Sequence, residues 1–194
     1  MSEPTPACLA ATDAFEADGR SWTLHPRPCS ALQFTLPGAP NIYYGSEVGM
    51  TGGGDPENRG PMRWDLVRAD NPELIWIKQL IAMRKQNRAL RIGNFRRVDS
   101  DRLLAFERYT ERTLETVVVL ANPSGAAITE RVMIANAGLM DGTPMVDLLG
   151  PADAPAAGTV DAAFLTVTVP SETVFVLIPL QRSLGGYSRY KRIR

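Results

Sequence analysis

The strongest constraint on how this chain folds is the change in its hydrophobic period at Gly93. Before it, Leu74, Ile77, Leu80, Ile81 and Arg84 recur at spacings of three and four, with Trp76 and Met83 widening the apolar face. That is the stripe of an amphipathic helix. Asn71 supplies its N-cap, Pro72 its first position and Glu73 a carboxylate at the positive end, while Lys85 and Arg88 place cations near its carboxyl end. After Gly93 the period falls to two. Arg102 to Tyr109, Glu115 to Ala121, Ile128 to Ile134, Met145 to Leu149, Phe164 to Val169 and Thr173 to Ile178 read as strands. The run Val117-Val118-Val119-Leu120 predicts a strand covered on both faces. Leu165, Val167 and Val169 alternate with Thr166 and Thr168, the half-buried pattern, and Pro170-Ser171-Glu172 turns that strand into its successor. Six short strands at this spacing predict an antiparallel β-sandwich.

Ahead of the helix, Ala31 to Leu36 reads as the last turns of an apolar helix stopped by Pro37-Gly38 and Pro40. Asn41 to Tyr44 is expected as a short buried strand, ended by Gly45. Residues 45 to 65 form a glycine-rich loop with charged residues and a Trp at its end. Loops that leave the carboxyl end of a strand in a barrel or open sheet are where ligands bind. Residues 1 to 30 show no sustained period, and Pro4, Pro6, Pro26 and Pro28 argue against helix there, so a disordered leader is expected. His25, the sole histidine, has no Asp, Cys or second His at useful spacing and is expected to be structural or solvated.

Bulk properties exclude several functions. Lys plus Arg equals Asp plus Glu at 21 each, so no global field draws the chain to nucleic acid or an acidic membrane. No apolar run approaches the roughly 18 residues of a transmembrane helix. The first residues lack the basic-then-apolar pattern of a signal peptide, which predicts a cytoplasmic protein. Cys8 and Cys29 could pair, but free thiols are the expectation in a reducing cytoplasm. The basic, aromatic tail from Gly185 to Arg194 is expected to be a solvated terminus rather than a nucleic-acid contact.

Two strings carry a resemblance: Leu36-Pro37-Gly38-Ala39-Pro40-Asn41-Ile42-Tyr43-Tyr44-Gly45-Ser46-Glu47-Val48-Gly49 and Asp55-Pro56-Glu57-Asn58-Arg59-Gly60-Pro61-Met62-Arg63-Trp64-Asp65. They resemble the α-amylase superfamily, glycoside hydrolase family 13, and most of all its α-glucosidase, oligo-1,6-glucosidase and neopullulanase branch. The resemblance covers about residues 31 to 181 and implies a mixed fold: the last strand and helix of a (β/α)8 barrel followed by an antiparallel β-sandwich domain. The implied divisions are a leader at 1–30, the end of a catalytic barrel at 31–92, a C-terminal sandwich at 93–181 and a basic tail at 182–194.

Membership of that family would imply retaining cleavage of α-glucosidic bonds, which needs two carboxyl groups about 5 Å apart. In the family these groups follow earlier barrel strands, and Asp13, Glu16 and Asp18 do not sit in its motifs, so no catalytic residue is assigned here. Asp55 and Arg59 match an Asp-Pro-x-x-Arg pair that reaches the substrate cleft in these relatives. A carboxylate and a guanidinium can each engage two hydroxyls of a glucose ring; the competing role is an ion pair that braces its own loop. Tyr43, Tyr44 and Glu47 are expected to shape the barrel mouth by packing, and Trp64 and Asp65 to anchor the loop. The implied partner is an α-glucan or maltooligosaccharide, with self-association through an exposed barrel edge. No cofactor is implied, and no acidic cluster has the spacing of a calcium site. The alternative is a non-catalytic glucan-binding or interaction module on the sandwich, although Phe95, Phe106, Tyr109, Phe164 and Phe175 fall in strand patterns that predict core. A third arrangement has a separate chain supplying the rest of the barrel.

Overall fold

A computed structural model describes residues 26–52, 55–136 and 138–180. His25, Cys8 and the acidic residues of the leader, and the tail beyond Leu180, lie outside them.

The first described helix, α1 (Pro26–Thr35), starts five residues earlier than the leader assignment allows. Pro26 and Pro28 do not break it because they occupy its first turn, where backbone N–H groups have no intrahelical partner to lose. Ala31, Leu32 and Phe34 are buried. Cys29 is also buried, and it is disulfide-bonded rather than the free thiol expected.

Helix α2 (Pro72–Gln86) forms where the spacing places it. Asn71 Oδ1 accepts from the N–H groups of Glu73 (2.9 Å) and Leu74 (3.2 Å), closing the helix start. Its Nδ2 donates to Val48 O at 3.0 Å and Leu66 O at 2.8 Å, so the same side chain ties two loop segments to the helix. Ile77, Leu80 and Met83 face inward. Trp76 Nε1 donates to Ser30 Oγ at 2.9 Å, and Arg27 pairs with Glu73 at 2.8 Å, fastening α2 to α1. A short helix, α3 (Arg88–Ile92), leads to Gly93, where a Cβ would come within 2.4 Å of Ala89 O and 2.9 Å of Tyr109 O.

The remainder is strand: β1 (Asn94–Arg97), β2 (Leu104–Tyr109), β3 (Val117–Asn122), β4 (Ile128–Met133), β5 (Pro144–Asp147), β6 (Gly158–Asp161), β7 (Phe164–Val169) and β8 (Thr173–Pro179). The six predicted strands are all present. β1 and β6 are additional: each is four residues long and mostly polar, too short to display an alternation. Every pairing is antiparallel, and the sheet order is β1-β2-β3-β8-β5-β6-β7-β4. The sheet curls into a sandwich-like arrangement, with Val118, Leu120, Val132, Met145, Leu165, Val167 and Leu177 in the core it encloses. The other face of its first half packs on the helices through Phe106, Val117, Val119, Ala121 and Val176 with Leu32, Phe34, Leu80 and Leu90. Strand β3 is therefore covered on both faces, as its unbroken apolar run predicts.

Two buried arginines, one from α2 and one from the sheet, converge on the end of α1. Arg84 of α2 donates to Phe34 O at 2.7 Å, to Leu36 O at 3.1 Å and to Gly38 O. Arg108 of β2 donates to Thr35 O at 2.6 Å, Gly93 O at 2.9 Å and Asn94 O at 3.3 Å. Both cations thus face the carboxyl end of α1, where backbone carbonyls lack helical partners and the helix dipole is negative. Burial, and then the charge of Arg84, push the Arg108 guanidinium down to about 10; it remains charged at neutral pH.

The expected strand at Asn41 to Tyr44 does not form. A strand needs a ladder, and the carbonyls here are used otherwise: Asn41 O accepts from Gln33 Nε2 (2.7 Å) and Tyr43 O from Ser46 N (3.1 Å). Ile and Tyr favour a pleated surface only where neighbours supply one.

Candidate functional site

The rim that runs from Gly38 to Leu66 holds together largely through backbone and side-chain contacts of its own. Gly45 (φ 87°) and Gly49 (φ 77°) flank a single 3-10 turn, Ser46–Val48, with angles that side chains resist. Met50 N donates to Gly45 O at 2.9 Å, and Arg63 N donates to Met50 Sδ at 3.4 Å. Tyr44 Oη donates to Gly60 O at 2.9 Å, tying the start of the rim to its far side. Asn71 anchors both ends of the loop to α2 through Val48 and Leu66.

Arg59 Nη2 lies 2.7 Å from Asp55 Oδ2, one turn apart in sequence. The structure thus brings the two predicted sugar contacts together as an ion pair. Both side chains are well exposed, at 68% and 61%, so the pair adds at most about 1 kcal/mol to stability. Its geometry leaves further guanidinium N–H groups of Arg59 and lone pairs on Asp55 unused by the bond between them, and these can meet hydroxyls. Asp65 takes two bonds from Arg63, at 2.8 and 2.6 Å, which hold its carboxyl below the usual carboxylate range and raise the guanidinium. Partial desolvation, then neighbouring Tyr43, push the Tyr44 phenol up.

Two features depart from expectation. Trp64, expected as an anchor, is 75% exposed, and Tyr43 and Tyr44, expected to pack, are 55% and 44% exposed with ring centroids 4.7 Å apart. Sequence shows which residues are aromatic but not what covers them. Among the described residues, no donor reaches the buried Glu47 Oε2. Among the described residues, no group of His, Cys, Asp and Glu is arranged to hold a metal ion. No described helix is long and apolar enough to cross a membrane.

Among the sandwich aromatics, Phe106 is buried as expected, whereas Phe95 is 42% exposed. The sequence did not single out an open cavity of about 380 Å³ beside Asp147, because it forms where the segment at 150–157 crosses over residues of β7 and β8.

No family model matches the chain. It is 44% identical over 97 residues to a cyclomaltodextrinase of Geobacillus thermopakistaniensis, a match that spans 50% of this chain and 16% of that protein. It is 34% identical over 110 residues to neopullulanase 2 of Thermoactinomyces vulgaris, over 55% of this chain and 18% of the other. Its structure superposes on that of an Anoxybacillus α-amylase with a TM-score of 0.63 and 25% identity, over 80% of this chain and 32% of the amylase. The matches thus span less than a fifth of the length of these two curated relatives.

Proposed function

The chain matches the C-terminal region of α-amylase-family enzymes, glycoside hydrolase family 13, and from that premise we propose that it forms one wall of an α-glucan cleft. In this reading the rim from Gly38 to Asp65 stands at the mouth of a (β/α)8 barrel, of which α2 is the last helix. Asp55 and Arg59 hold a glucose ring by paired hydrogen bonds. The two carboxyl groups of retaining hydrolysis come from parts of a barrel outside this sequence, so these 194 residues alone do not cleave α-glucosidic bonds.

The observation that carries the proposal is the state of the rim. Tyr43, Tyr44 and Trp64 lie open on the same stretch of chain as the exposed Asp55–Arg59 pair, and the buried Glu47 Oε2 has no donor among the described residues. Exposed aromatic surface concentrated on one loop marks a surface made to be covered by protein or ligand.

The test is an assay of the purified, folded chain on a nitrophenyl α-glucoside and on cyclomaltodextrin, with circular dichroism to establish that it is folded. No turnover is expected, and measurable turnover by the pure monomer would overturn the central claim. Co-expression with a barrel lacking this region should restore hydrolysis. Asp55→Ala and Arg59→Ala should then raise KM while shifting stability by no more than about 1 kcal/mol; unchanged KM would assign the pair to bracing its own loop.

A further inference from the structure

The curled sheet is discontinuous on one side, and the break opens a pocket. Strand β7 pairs with β4 along its whole length, from Met133↔Phe164 to Ile128↔Val169. It pairs with β6 only at Val160↔Leu165 and Asp161↔Phe164. Strand β8 pairs with β3 from Leu177 back to Thr173, but with β5 only from Leu177 to Pro179. Thr166–Thr168 pair with β4 and Phe175 with β3, but on their opposite edges, which face each other across the gap, neither has a ladder partner in β6 or β5. The segment after β5 crosses this gap and leaves the cavity of about 380 Å³ beneath it. That volume lies at the lower end of the roughly 300–1,000 Å³ typical of small-molecule sites.

The walls differ in chemistry. Phe175, Val167, Pro151 and Pro155 give apolar surface, and Thr166, Thr168 and Asp147 give polar groups. Asp147 Oδ1 accepts from Leu149 N at 3.1 Å and from Val176 N at 2.9 Å, so its carboxyl is held in a fixed direction. Thr168 Oγ1 lies 2.8 Å from Thr129 Oγ1 on the neighbouring strand, which extends the hydroxyl-bearing surface outward. Among the described residues, Asp147 is the sole ionisable one of the lining and no cation lines the cavity, so the described wall offers an anion a carboxylate and no counter-charge.

We infer that this cavity, between the unpaired edges of β7 and β8, binds a short neutral α-glucan, with a pyranose C–H face on Phe175 and its hydroxyls toward Thr166, Thr168 and Asp147. A sugar has both required surfaces, an apolar ring face and hydroxyls that donate as well as accept. The choice of an α-glucan rests on the function proposed above; the site itself is separate from the rim and needs none of its residues.

The test is titration of the isotope-labelled full chain with maltotriose, followed by backbone amide shifts, with cellotriose as the β-linked control. Saturable shifts are expected at Gly150, Ala157, Thr166–Thr168 and Phe175, and none with cellotriose. Ala156 is exposed on the cavity wall, so Ala156→Trp should fill the opening and weaken maltotriose at least tenfold without lowering the melting temperature. Thr166→Ala, also at an exposed position, should weaken it several-fold. Shifts confined to the Asp55–Arg59 loop, equal response to cellotriose, or wild-type affinity in Ala156→Trp would overturn the inference. Shifts at the cavity in a chain that also releases reducing sugar would uphold it while removing the claim that the chain alone is inactive.

Discussion

Replacing Arg108 by Met tests what fastens the helices to the sheet. Met keeps much of the aliphatic stem, so packing changes little, but the three bonds to Thr35 O, Gly93 O and Asn94 O disappear. Thr35 is fully buried, so its carbonyl loses its guanidinium donor where water cannot easily replace it, at a cost of about 1–3 kcal/mol. The other two carbonyls are only partly buried and can hydrate, each adding less than about 1 kcal/mol. Against this, Met relieves the desolvation of a cation and its repulsion with Arg84, the two causes that depress the Arg108 guanidinium. The expected net loss is about 2–3 kcal/mol out of a total stability of roughly 5–15 kcal/mol. For a chain of this size that lowers the melting temperature by about 4–12 °C. Urea unfolding followed by circular dichroism measures the loss, and hydrogen exchange locates it: protection should fall first in Pro26–Thr35. A loss below about 0.5 kcal/mol, or uniform loss of protection, would refute the view that the bond to α1 dominates.

Asn71→Ala should cost about 2–3 kcal/mol, because it removes the cap of α2 and both tethers to the rim; exchange at Val48 and Leu66 should rise with it, and a loss under about 1 kcal/mol would show that the tethers carry nothing. Burial pushes the Asp147 carboxyl up, more than its bonds from Val176, Leu149 and Gly150 pull it down. Above the ordinary value of about 3.9 the unfolded chain has released this proton and the native chain still holds it, so stability falls as pH rises toward the raised native value and then levels off. Asp147→Asn should flatten that part of the stability–pH curve, and an unchanged slope would reject the assignment.

Much of this fold is legible in the residues because local rules and tertiary context agree. The α2 helix has a cap, a first-position proline and a stripe at three and four, and even the burial of Arg84 follows from its place in that stripe. Val117 to Leu120 and the alternation from Leu165 to Val169 likewise signal their environments. Agreement fails where context decides. Asn41 to Tyr44 has the composition of a strand and no neighbour to pair with. Pro26 and Pro28 read as breakers until the helix start is known, since the same residue that stops a helix opens one. The pairing of Asp55 with Arg59 was readable from their spacing. The exposure of Trp64, the orphaned oxygen of Glu47 and the cavity beside Asp147 were not, because each depends on what stands opposite rather than on what is adjacent in sequence.

The position of β8 has a consequence for the order in which the chain can assemble. It is the last described strand in sequence, yet it lies between β3 and β5 and links the two portions of the sheet. On a ribosome, at roughly 5–20 residues per second, the first three strands emerge a few seconds before the strand that joins them to the later hairpins. Until residue 179 clears the exit tunnel, β3 and β5 each present a bare hydrogen-bonding edge, and the enclosed core stays open. The strand that closes the fold is therefore made after the strands it joins, and stalled or shortened chains that lack it expose the edges most prone to pair with other molecules.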